Sequence, residues 1–178
     1  MRNALWKLVS AAVLTVGALV LLAPTVQAQG SCEPISGTIY LWYTDTWHGV
    51  GNLTIGRDVR RADVQAANTG SFTNNEAIFQ GTEAWTLDFG RWGRLYLNME
   101  FVAEDMTDSA FNFHVTEVGK IVKGTGLFEH AYGNFTAQGP FGPALALPSN
   151  IQPPPDAIMW GVTPALGMIC GLNNRDER

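Results

Sequence analysis

The sequence is short of charge, of sulfur and of histidine. Of its 178 residues, 15% are Asp, Glu, Lys or Arg, and 11 basic residues face 16 acidic ones for a net charge of −5. Basic residues cluster only at Arg57, Arg60 and Arg61. A phosphate backbone is held by a dense basic surface, so nucleic acid is not an expected partner. The three histidines, His48, His114 and His130, are far apart with no i,i+2 or i,i+4 pairing, so no metal site is expected. There is no G-x-S-x-G nucleophile elbow and no Gly-Lys-Ser/Thr phosphate loop, which argues against the common serine hydrolase and nucleotide chemistries. No cofactor is called for. No internal repeat occurs, and no amphipathic helical period appears beyond residue 28.

The start of the chain reads as an export signal. Arg2 and Lys7 precede an apolar run from Leu8 to Leu22, and Val26-Gln27-Ala28 ends in small residues at the positions a signal peptidase reads. The apolar run is short of the ~20 residues of a spanning helix. A lipoprotein reading is weaker, because Gln29-Gly30-Ser31-Cys32 lacks the apolar residue expected three before the cysteine. The expected organisation is a signal peptide over 1–28, one domain over 29–172 and a polar tail over 173–178. The product is expected to be secreted or periplasmic, with no membrane contact after cleavage. About 150 residues are enough for one domain with its own core. The two cysteines, Cys32 and Cys170, lie near the ends of that domain. In an exported protein they read as a disulfide, and neither has a neighbouring histidine to suggest a catalytic thiol.

The mature region alternates with period two. Glu83, Trp85, Leu87 and Phe89 alternate with polar or small residues, as do Leu95, Leu97, Met99 and Phe101, and again Phe111, Phe113, Val115 and Glu117. Such alternation marks strands with one buried face. The segments 82–89, 94–103 and 110–118 therefore read as an antiparallel meander. Further strands are expected at 37–44, at 50–55 and, with poorer alternation, at 58–67. Gly139 to Pro155 holds six prolines and is expected to be irregular, since proline donates nothing to a ladder. A last strand over 158–170 is expected to break at Pro164. Seven or eight short strands in one domain require a two-sheet sandwich or a closed barrel. A disulfide between the ends suits closure.

The stretch GKIVKGTGLFEHAYGNFTAQG, residues 119–139, holds five glycines. A dinucleotide fingerprint fails here, because Glu129 stands where the third glycine belongs and no βαβ pattern surrounds it. The alternative is a sharp corner between strands, with Gly124, Gly126 and Gly133 supplying conformations other residues resist. Leu127, Phe128 and Ala131 would then tuck into the barrel end as a plug. GTGLFEHAYGNFTAQG resembles the G-T-G-x-F-x-x-A-x-G-x-x-x-x-x-G corner shared by the allene oxide cyclase and dirigent barrels and their bacterial secreted relatives, and the strands on either side match too. The resemblance implies an all-β, single antiparallel β-barrel of about eight strands, calycin-like, with an apolar cavity. It carries no catalytic residue onto this sequence.

Two carboxylates share the apolar parity of their strands, Glu83 and Glu117. If buried they are candidate catalytic acids. The ordinary reading is that both sit at strand ends on a wet rim and are simply solvated. Tyr40, Trp42, Trp47 and Trp85 are the candidate ligand-binding aromatics, since rings at a barrel mouth stack on flat or apolar molecules. The expected function is binding of an apolar or aromatic small molecule. The alternatives are a cofactor-free cyclase or isomerase of the resembled type, and an interaction protein with a filled core. Whether the barrel is an enzyme is left open by the sequence, and a homo-oligomer is compatible with it.

Overall fold

A computed structural model describes residues 31–70, 73–75, 78–105 and 112–173. The expected signal peptide and all but the first residue of the polar tail lie outside the described residues, as do parts of two loops. Among the described residues no helix is long and apolar enough to cross a membrane.

The described residues form nine strands: β1 (Glu33–Tyr43), β2 (Trp47–Ile55), β3 (Asp58–Asn68), β4 (Thr73–Asn75), β5 (Ile78–Asp88), β6 (Arg94–Asp105), β7 (Phe113–Gly124), β8 (Tyr132–Gly142) and β9 (Met159–Cys170). Every neighbouring pair is antiparallel. The sheet runs β3-β2-β1-β9-β8-β7-β6-β5 and is closed by pairing of β3 with β5, so eight strands make an all-β barrel. Closure leaves those eight strands without a free edge. The short β4 adds to the start of β5 beyond the reach of β3.

The expected segments at 37–44, 50–55, 58–67, 82–89, 94–103 and 110–118 fall on β1, β2, β3, β5, β6 and β7. Two expectations about proline are corrected. β8 runs through Pro140 to Gly142, and β9 runs unbroken through Pro164. The ladder between them is interrupted from Ala137↔Ala165 to Phe141↔Gly161. Both prolines sit in that gap, where a missing N–H leaves no bond unmade. The irregular segment proper is therefore 143–158. It is tied down by the Trp160 indole N–H donating to the Leu145 carbonyl (2.8 Å) and by the Ile158 N–H donating to the Tyr43 carbonyl (2.9 Å).

Alternation places one side chain in two inside the barrel. Ile35, Ile39, Leu53, Ile55, Leu87, Leu95, Leu97 and Ile169 are all fully buried. At one end Cys32 and Cys170 form a disulfide that joins the start of β1 to the end of β9.

Candidate ligand-binding cavity

The two ends of the barrel differ. At the disulfide end two tight turns face each other, Gly90–Trp92 between β5 and β6, and Gly126–Phe128 between β7 and β8. Gly126 has φ +63°, and a Cβ there would stand 2.7 Å from the Trp92 carbonyl oxygen. A Cβ on Gly124 would run into the backbone of Phe128. The corner glycines are thus required by close approach of backbone to backbone. Phe128 is fully buried, Leu127 and Ala131 nearly so, and the Phe128 ring lies 5.0 Å from that of Phe89. Asn173 fastens the plug by donating its N–H to the Leu127 carbonyl and its amide to that of Gly126. At this end Arg60, buried on the inner face of β3, lies between Asp58 (3.0 Å) and the face of Trp92 (4.0 Å).

At the other end a cavity of about 370 Å³ opens inside the barrel. Five of its twelve lining residues are aromatic: Trp47 from β2, Phe79 from β5, Phe101 from β6, Phe113 from β7 and Phe141 from β8. The rings brace one another edge to face, Phe79 on Phe113 at 5.2 Å and Trp47 on Phe141 at 5.4 Å. Two of them lie over glycines. Phe101 pairs across the ladder with Gly81, where a Cβ would come within 2.9 Å of the ring, and Phe141 pairs with Gly161. A side chain at either glycine would push its ring into the cavity. Leu41, Ala103, Val115 and Met159 complete the apolar lining. No residue of the 143–158 segment contributes to the lining; its two flanks, Phe141 and Met159, do.

The polar lining is Asn68, Glu83 and Glu117. Glu83 is 6% exposed and Glu117 4%. The expectation of solvated rim carboxylates is therefore corrected: both point into the barrel. The reason is strand length. β5 starts at Ile78 and β7 continues to Gly124, so neither residue is at a strand end. Glu83 lies opposite Met99, and Glu117 opposite Phe101, two residues further along β6. Glu83 accepts a hydrogen bond from the Trp85 indole N–H at 2.8 Å. Oε2 of Glu117 is buried with no hydrogen-bond partner. Burial raises the Glu83 carboxyl above its ordinary 4.5, partly offset by the Trp85 bond. Burial first, and then the proximity of Glu83, push Glu117 well above that value. A protonated carboxyl in an apolar wall can donate a hydrogen bond or a proton.

The four candidate aromatics separate. Trp47 lines the cavity. Trp85 is inside but fully buried, and it touches the site through its bond to Glu83. Tyr40 and Trp42 alternate with the buried Ile39 and Leu41 and so stand half-buried on the outer face. Cavity residues without a signal of their own in the sequence were Phe79, Phe141, Asn68 and Met159. Gly81 and Gly161 were the available hint, as glycines in otherwise regular strands mark close approach. Among the described residues no three His, Cys, Asp or Glu side chains could together hold a metal ion. In comparisons with known proteins, no family model, no curated protein and no solved structure matches this chain.

Proposed function

We propose that this is an exported barrel that binds an apolar or aromatic small molecule through its open end. The observation that carries the reading is the aromatic cavity of about 370 Å³ above a filled and plugged half. Its size falls within the range of small-molecule sites, and its lining has the usual character of mostly apolar walls with a few placed polar groups. An eight-stranded barrel is at the boundary between just filled and able to hold one small ligand. Here the hollow half favours a ligand over a core filled throughout. The disulfide is compatible with work outside the cytoplasm.

A second reading rests on the carboxyl pair. A cofactor-free cyclase or isomerase of the allene oxide cyclase or dirigent type would use a shaped cavity to orient a reactive substrate, and burial raises the Glu117 carboxyl well above its ordinary 4.5, which favours its protonated form. Under that reading Glu117 is the proton donor, its proton held chiefly by burial and secondarily by Glu83, which Trp85 fixes.

The test is mass spectrometry of small molecules released on denaturing protein purified under native conditions, with Ala103→Trp alongside to fill the cavity. A compound released by the wild type and absent from a folded Ala103→Trp supports the reading. Equal release from both proteins would place the compound elsewhere and sink it.

A further inference from the structure

Among the described residues positive charge is confined to the plugged half of the barrel, where it is mixed with acids such as Glu33, Asp58 and Asp88, and is missing from the open end. Between Cys32 and Asn173, Lys and Arg occur only at 57–61, 91–94 and 120–123. The first group is at the turn from β2 to β3 and the second at the turn from β5 to β6, both at the plugged end. Lys120 and Lys123 lie on the half of β7 nearer the plug, opposite Asn98 and Tyr96. The open end carries Asp45 between β1 and β2, Glu104 and Asp105 at the end of β6, and Glu83 and Glu117 inside. Among the described residues no Lys or Arg stands there. His48 and His114 are near the mouth, but they alternate with Trp47 and Phe113 and so face outward.

The lining repeats this bias. Its ionisable groups are the two carboxyls alone, and one of them, Glu117, has a buried oxygen with no donor. Five aromatic rings surround them, and ring faces attract cations as carboxylates do. A carboxylate ligand would instead bring a third acid into the same apolar space and would approach against the field of the mouth.

We propose, on the basis of the binding reading above, that the cavity takes an organic amine. Its protonated nitrogen donates to Glu117 against the aromatic wall, and its apolar or aromatic body fills the rest. The ammonium supplies the donor that Oε2 of Glu117 lacks, and its positive charge beside the carboxyl offsets the burial that holds the proton there, so Glu117 releases that proton to solvent as the amine binds. A neutral alcohol of the same shape supplies the donor without the charge. Glu83 is the other ionisable group facing Glu117, and its bond from Trp85 leaves Glu117 as the acceptor for the ligand.

Three probes with one ring system separate these cases: 1-naphthylmethylamine, 1-naphthylmethanol and 1-naphthoate, titrated calorimetrically into the purified protein at neutral pH. The amine is expected to bind about ten-fold or more tightly than the alcohol, as charge-assisted bonding and cation–π contact imply, and the naphthoate most weakly. In Glu117→Gln the amine should fall to the affinity of the alcohol, while the alcohol changes little. An alcohol that binds as tightly as the amine overturns the amine assignment and leaves the binding cavity standing. So does a preference for naphthoate. If none of the three binds, the cavity reading falls and the amine with it. The wild-type ranking decides even if Glu117→Gln fails to fold.

Discussion

The plugged end and the open end are built from the same eight strands with the same alternation, yet one is solid and the other hollow. At the plugged end aliphatic side chains and Phe89 and Phe128 fill the interior, two glycine turns meet backbone to backbone, and a disulfide ties the first strand to the last. At the open end the rings stand round the wall, and a pair of carboxyls replaces the aliphatic layer. The difference is one of filling: the plugged end is packed with apolar side chains, and the open end keeps a cavity with two carboxyls in its wall. Buried groups at the plug mostly remove apolar surface from water, which favours folding. Glu117 does the opposite, since a buried polar atom without a partner costs stability; Glu33 Oε2 and Arg60 Nε carry the same cost at the plugged end, but only Glu117 carries it in the wall of the cavity. Such local violations of good packing are expected where a protein binds or reacts.

The largest effect should come from the disulfide. Replacing Cys32 and Cys170 by serine releases a loop spanning 138 residues of sequence separation. The chain-entropy model puts the loss at about 5 kcal/mol. Denaturant unfolding of the variant against the oxidised wild type measures it directly. A loss below about 1 kcal/mol would mean that the barrel closes without its staple, and that the plug alone holds that end.

A smaller effect should separate two glycines with the same backbone conformation. Gly126 has φ +63° and Gly90 φ +61°, but a Cβ on Gly126 meets the Trp92 carbonyl while one on Gly90 meets nothing within 4 Å. Gly90→Ala should cost about 1 kcal/mol, for the left-handed backbone alone. Gly126→Ala should cost about 2–3 kcal/mol, because the facing turn must also move. Equal losses would show that the two turns separate easily and that the plug is held by Phe128 rather than by backbone contact.

Much of the plugged end is legible in the sequence, and less of the open end is. The glycine corner advertises itself because glycine at tight approaches has no substitute, and Leu127, Phe128 and Ala131 follow it at plug spacing. The meander is legible because Leu95, Leu97, Met99 and Phe101 alternate at full contrast. β3 alternates as regularly in space, with Arg60, Ala62, Val64 and Ala66 inward. Its contrast is faint because a clamped arginine and two alanines are poor hydrophobic markers. Parity also places Glu83 and Glu117 on the inner face. Depth is what it withholds, since depth depends on where β5 begins and β7 ends. Tyr40 and Trp42 show the converse, for their neighbours Ile39 and Leu41 take the inner face and leave both aromatics outside. The prolines at 140 and 164 read as breaks because the gap between β8 and β9 that accommodates them belongs to the pairing of two strands, not to either alone.

The smallest effect probes the open end through pH. In the unfolded chain Glu117 gives up its proton near 4.5, whereas in the barrel burial and Glu83 hold it well above that value. Between those two points the folded state binds more protons than the unfolded, so stability falls as pH rises. Below 4.5 both states are protonated and the contribution is fully present; it is lost as pH climbs through the folded value. Glu83 acts in the same direction, with its shift reduced by the Trp85 bond. Glu117→Gln keeps the shape and removes the titration. Its melting temperature should match the wild type near pH 4 and exceed it by a few degrees at pH 8, since about 1 kcal/mol corresponds to about 2–4 °C in a chain of this length. A gap that is the same at both pH values would mean that Glu117 titrates as it does in water. The carboxyl would then be wet, and the open end would be an ordinary solvated rim rather than a cavity lined with a buried acid.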